Sequence, residues 1–311
     1  MGKSARPNSV LKTSRERRAG VSRGRELRIV VAITVLAITQ SLAHGQENGL
    51  VYPVDIVADD NGWVVADFKA HGLLTIDSDG NVTSIAQGPG LPRTPLYGTR
   101  AVLPAPDGDG WLVADPGTFA LYRVGRDGAL STITTDLDIP QVLARFDDNS
   151  VLVSDLRSGI GAVMRVTMDG AVQVFAEIDS PKGIVPDGDS GFVVVSHGDR
   201  ALYRLGRDGS VSTLYSGAPL DFPHDLVRLP DGSFMVTDGY ASAVFHVSGA
   251  GQLTTFAQGA PLVTPQGIAR GADGTLFVVD PQAGAIFRIG IDAAIVRWVD
   301  VGSSPTAPVR A

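Results

Sequence analysis

The chain has 311 residues, no cysteine, 6% aromatic residues and a formal charge of −7. Without cysteine, disulfide frameworks, thiol nucleophiles and thiolate zinc sites are excluded. An acidic chain poor in aromatic rings also suits nucleic acid badly, because phosphates need cations and bases need stacking platforms.

In chain order, 1–28 carry nine Lys/Arg against two acidic residues, and the apolar run I-V-V-A-I-T-V-L-A-I follows at Ile29 to Ile38. Small residues stand at Ser41 and Ala43. This is the plan of a secretory signal, with cleavage expected between Ala43 and His44 and the mature protein secreted or periplasmic. The alternative is a retained anchor, for which the run is short of the roughly 20 residues of a span. Losing nine basic and two acidic residues takes the formal charge from −7 to −14, which repels nucleic acid and anionic lipid. No membrane contact is expected after cleavage.

A short lead, 44–51, precedes a repeat. Its marker is an apolar strand ending in a small polar residue: W-V-V-A-D at Asp67, W-L-V-A-D at Asp115, V-L-V-S-D at Asp155, F-V-V-V-S at Ser196, F-M-V-T-D at Asp238 and L-F-V-V-D at Asp280. The spacings are 48, 40, 41, 42 and 42 residues. Each unit reads as four short strands; the last gives P-Q-G-I-A, T-L-F-V-V-D, A-I-F-R-I and A-I-V-R-W-V. Asp-Gly pairs recur between strands, where they are read as two-residue hairpin turns rather than calcium ligands. Six such units buried against one another predict an all-β, six-bladed propeller of four antiparallel strands per blade, one domain over 52–302. First and last units are complete, so the ring is expected to close by packing. The tail 303–311 is expected to be disordered.

The stretch T-P-Q-G-I-A-R-G-A-D-G-T-L-F-V-V-D (Thr264 to Asp280) resembles the NHL-type repeat. More broadly, the mature chain is similar to the propeller superfamily of gluconolactonase/regucalcin and strictosidine synthase proteins. The resemblance is specific for fold. Such propellers include hydrolases, lyases, a synthase and binding modules, so it leaves function open.

In this fold the first strand of each blade lines a central channel and begins at its mouth. Five of these strands begin with Pro53, Pro140, Pro181, Pro223 and Pro265, and Thr99 fills the slot in the second. The next residues are Val54, Arg100, Gln141, Lys182, His224 and Gln266. The ring is polar, carries two cations and has no acid. Arg100, Gln141, Lys182, His224 and Gln266 are therefore expected to bind a small anion, with solvated strand ends as the plain alternative.

Gluconolactonase-like relatives place a Glu before the first strand, and Asn and Asp in these slots, to hold a metal. Here Val51, Lys182 and His224 stand at such positions, with only Asp55 and Asp225 nearby. Calcium-dependent lactonase activity is disfavoured, and neither metal nor cofactor is expected. The rim is expected to carry His71, Arg157, His197, Arg200 and Tyr240. The three-proline connection 87–99, with Arg93 and Tyr97, is a candidate lid. The second-strand aspartates are expected to bond loop backbone.

Two functions remain. A monomeric propeller binds a small carboxylate, acidic sugar or phosphate, or a protein partner, on the channel-mouth face. Alternatively, a lyase or hydrolase acts there on an anionic sugar or lactone. In that case His224, Tyr97 and His197 are the candidates for moving a proton while the cations stabilise an enolate-like intermediate.

Overall fold

The computed structural model describes residues 49–60, 62–157 and 161–302. The expected signal, most of the lead and the tail lie outside these residues. Six four-stranded antiparallel sheets follow one another at 53–87, 101–134, 140–177, 181–216, 223–258 and 268–300. Within each sheet the strands pair in chain order, so every blade is a simple meander and borrows no strand from the opposite end of the chain. The described residues contain no α-helix, only a 3-10 turn at Gly188–Ser190.

The blades form a ring because each buries apolar side chains against both neighbours. Val64 and Leu73 of blade 1 pack with Val102 and Val113 of blade 2. Leu112 and Leu121 then meet Val151 and Val153, and Leu152 and Val163 meet Ile184 and Val194. Val193 and Leu202 face Leu226 and Phe234, and Val244 faces Ile268 and Val278. Finally Ile56, Trp63 and Val65 of blade 1 pack on Phe277, Val279 and Val299 of blade 6, with the Trp63 and Phe277 rings 4.0 Å apart. The ring thus closes through side chains, as the sequence predicts. The Gly302 N–H also donates to the Leu50 carbonyl at 2.8 Å, tying the two ends together.

This arrangement explains why the second strands read as unbroken apolar runs. Trp111–Asp115, Phe192–Ser196 and Leu276–Asp280 are buried at every position, because both faces of the sheet are covered. Fourth strands such as Leu130–Thr134 form the exposed outer edge.

The second-strand aspartates bond backbone. Asp67 accepts from the N–H groups of Val51, Tyr52, Lys69 and Ala70 at 2.7–3.0 Å. Asp115 accepts from Gly98 and Gly117, Asp155 from Asp138 and Ile139, Asp238 from Asp221, Phe222 and Ala241, and Asp280 from Val263, Thr264 and Ala283. Asp67, Asp115, Asp238 and Asp280 each join the segment entering the inner strand to the loop leaving the second, and Asp155 holds the entering segment. Blade 4 makes the same join with Ser196, whose hydroxyl donates to the Asp179 carbonyl and accepts from Asp199 N–H.

The Asp-Gly turns differ in detail from expectation. Glycines 80, 108, 110, 128, 170, 188, 209, 232 and 274 all have positive φ, but the preceding aspartates do not. A two-residue type I′ hairpin needs both. Around Gly80 the Asp77 N–H instead meets the Asn81 carbonyl and the Gly80 N–H meets the Asp77 carbonyl, a longer loop ending on a left-handed glycine.

Candidate channel site

All six inner strands start at one end of the central channel and line it. A β-bulge follows the proline in several of them, with register shifts at Pro53/Asp55, Pro181/Ile184 and Pro223/Asp225. A bulge turns two successive side chains toward the same face. Hence the residue after the proline and the one after that both reach the channel. Val54, Asp55, Arg100, Val142, Lys182, His224, Asp225, Gln266 and Gly267 enclose a cavity of about 20 Å³, room for one water. A larger ligand does not fit inside this cavity and can meet these side chains only from its rim.

Arg100, Lys182, His224 and Gln266 come together here as the sequence reading requires. Gln141 joins them through Lys182, whose ammonium donates to its Oε1 at 2.7 Å. Arg100 donates to Gln266 Oε1 at 3.3 Å. Both cations are held by neutral amides, and no carboxylate lies within ion-pair distance of either among the described residues.

The expectation of a site without acids needs correction. Asp55 and Asp225 line the same cavity and also cap a second space of about 220 Å³ running toward the opposite face between Val57, Leu103, Val185 and Val227. Plain strand alternation points these residues away from the slot residues; the bulge brings both to one wall. Asp55 accepts from the Val102 N–H at 2.9 Å and the Ile56 N–H at 2.8 Å, and Asp225 accepts from the Ile268 N–H at 3.2 Å. Each carboxylate thereby pins its inner strand to that of the next blade.

The preceding blade makes room with glycine. A Cβ on Gly183 would lie 2.6 Å from the Asp225 Cα, and one on Gly267 would lie 2.8 Å from the Asp55 Cα. Two second-strand hydroxyls fix the backbone behind the ring: Ser154 donates to the Lys182 carbonyl and Thr237 to that of Gln266.

Burial governs the charges. It pushes Lys182 down to about 7, with Arg100 adding repulsion. His224 falls to about 2 through burial and then the Lys182 and Arg100 charges, so its imidazole is neutral. His197 is lowered by burial and then by Lys182. Asp55 and Asp225 are both raised, chiefly by burial; repulsion from Asp55 adds to the rise at Asp225, while Arg100 opposes it at both. Burial also lowers Arg100, against the pull of Asp55.

Of the three proton-transfer candidates, the structure brings two together. Phe222 lies between His197, with ring centroids 4.6 Å apart, and His224, 4.8 Å away. Nδ1 of His197 is buried without a hydrogen-bond partner among the described residues. Tyr240 is 67% exposed and stacks on Phe222 at 4.4 Å. Tyr97 stacks instead on His71 at 5.1 Å, and its carbonyl meets His71 Nδ1 at 2.6 Å. These contacts anchor the 87–99 connection, and they pair Tyr97 with His71 rather than with His224. Arg93 is exposed. Arg200 approaches Asp221 at 3.5 Å, and Arg157 approaches the Met164 sulfur at 3.9 Å. Sequence reasoning missed Phe222, although its place directly before the Pro223 slot marks it as a mouth residue. Among the described residues, no three His, Asp or Glu side chains gather as a metal-ligand set.

Neither a family model nor a curated protein matches the sequence. Solved structures do. Virginiamycin B lyase from Staphylococcus aureus matches at 18% identity and TM-score 0.64, covering 82% of this chain and 86% of the lyase. A catalytically inactive histidine-to-alanine variant of that lyase with quinupristin matches at 17% identity and TM-score 0.64, covering 82% and 85%. A gluconolactonase from Xanthomonas campestris matches at 18% and 0.62, covering 76% and 85%, and regucalcin from Agrobacterium tumefaciens at 13% and 0.56, covering 67% and 75%. By fold, the chain is a six-bladed β-propeller of the kind these lyase, gluconolactonase and regucalcin structures share.

Proposed function

We propose that the protein, exported as its N-terminal sequence suggests, binds a small anion at the channel mouth. Arg100 is the fixed grip and Lys182 the adjustable one, with Gln141, Gln266 and His224 as hydrogen-bonding walls. The observation that carries this reading is the pair of cations converging on one cavity while bonded, among the described residues, to amide oxygens. An incoming carboxylate would offer each a stronger, charge-assisted partner.

The pH dependence is a test. Lys182 is a base whose folded value is depressed to about 7, so it loses its charge as pH rises through neutrality. A bound anion favours the protonated form. Calorimetric affinity for acetate or glucuronate, whose own charge is constant, is therefore expected to fall as pH rises from 6 to 8, with proton uptake on binding near pH 7. Ionisation of Asp55 and Asp225 in the same window acts in the same direction, and Lys182→Met should remove the Lys182 part of the fall. Affinity that is flat over this range, or that rises with pH, contradicts the role of Lys182.

A second reading is favoured by the lyase and gluconolactonase structures that share the fold; it requires a bound carboxylate to offset the Lys182 and Arg100 charges that depress His224, raising its basicity. In it, the propeller removes a proton next to a carboxylate or opens a lactone. His224 accepts the proton while Arg100 and Lys182 stabilise the developing oxyanion. His224→Gln keeps size and hydrogen bonding but cannot shuttle a proton. If a turned-over substrate is found, its kcat is expected to fall about 100-fold with little change in binding. An equal kcat in the variant rules His224 out as the base.

A further inference from the structure

The channel mouth has an aromatic side that the anion-binding reading leaves unused. It begins at His224, whose ring meets the Phe222 ring edge-on at 4.8 Å. Phe222 also touches His197 at 4.6 Å, and Tyr240 lies almost parallel on Phe222 at 4.4 Å and 17°. Tyr240 is nonetheless 67% exposed. One of its faces is fixed by Phe222, which sets the ring's orientation before any ligand arrives and reduces the ordering cost of stacking. The wall borders the cation pair, since His224 encloses one cavity with Lys182 and Arg100.

We propose that the ligand is an aromatic carboxylate, its ring packed on the open face of Tyr240 and its carboxylate held by Lys182 and Arg100. This rests on the anion-binding reading above and narrows it. A uronate carries the same charge and could use the amides of Gln141 and Gln266, but its hydroxyls would gain nothing from the Tyr240 face, which favours an apolar ring.

The experiment is calorimetry on the folded protein with benzoate, cyclohexanecarboxylate, glucuronate, acetate and benzamide. It is repeated on Tyr240→Ala and Tyr240→Phe, substitutions at an exposed side chain that leave the core intact. Benzoate is expected to bind about tenfold more tightly than cyclohexanecarboxylate or acetate, the upper range for an aromatic pair. Tyr240→Ala should erase that preference and Tyr240→Phe should keep it. Glucuronate or acetate binding as well as benzoate overturns the aromatic inference and leaves anion binding standing. Benzamide binding as well as benzoate overturns both the carboxylate assignment and the anion-binding reading. If none of the five binds, both fail together.

Discussion

Asp67→Ala is expected to be among the most damaging single substitutions in the propeller. The side chain is fully buried and its carboxylate serves four backbone N–H groups, from Val51, Tyr52, Lys69 and Ala70. Hydrogen bonds to a charged group contribute about 1.5–3 kcal/mol each, and bonds sharing one carboxylate are not additive, so a loss of about 3–5 kcal/mol is expected. In a domain of this size that lowers Tm by roughly 6–20 °C. Asp67→Asn keeps an acceptor and should recover part of the loss. Differential scanning calorimetry of the two variants checks this, and a shift for Asp67→Ala within 2 °C of wild type would show that water replaces the carboxylate at no cost. The analogous Asp280→Ala tests whether the join between entering segment and loop matters equally in blade 6.

Arg100→Ala is expected to weaken binding of any small carboxylate by about 1.5–3 kcal/mol, roughly ten- to a hundredfold. The guanidinium is the one ring group whose charge survives burial across the physiological range, and its geometry permits two parallel bonds to a carboxylate. Its removal also takes away the charge that opposes protonation of Asp55 and Asp225, so both acids should move further up. Arg200→Ala, at an exposed rim position, should leave affinity unchanged. Equal losses from both substitutions would mean a diffuse field rather than a site.

The blade count, strand order and closure were legible because each rests on local pattern repeated six times. A run such as W-L-V-A-D can be fully buried only between two neighbours, and its recurrence about every 42 residues fixes how many neighbours there are. The aspartates at the ends of these runs were legible for the same reason: a feature present in five of six blades is structural. The channel site was half legible. Position after the proline identified Arg100, Lys182 and His224, but Asp55 and Asp225 were passed over as bystanders. Their approach depends on a bulge and on Gly183 and Gly267 across the blade boundary, which alternation within one strand does not reveal. Tyr97 and Phe222 show the same limit, because which aromatic ring meets which histidine is decided by contacts between blades.

An anion bound at the channel mouth would lie between Arg100, Lys182 and His224. Anomalous diffraction from crystals soaked in sodium selenate at pH 6, where Lys182 is charged, tests it by direct location. A selenium peak is expected on the channel axis, with selenate oxygens within hydrogen-bond distance of the Arg100 guanidinium and the Lys182 ammonium, and it should be lost in the Arg100→Ala crystal. Selenium found only at exposed arginines such as Arg93 and Arg200, with the channel mouth empty, would contradict it.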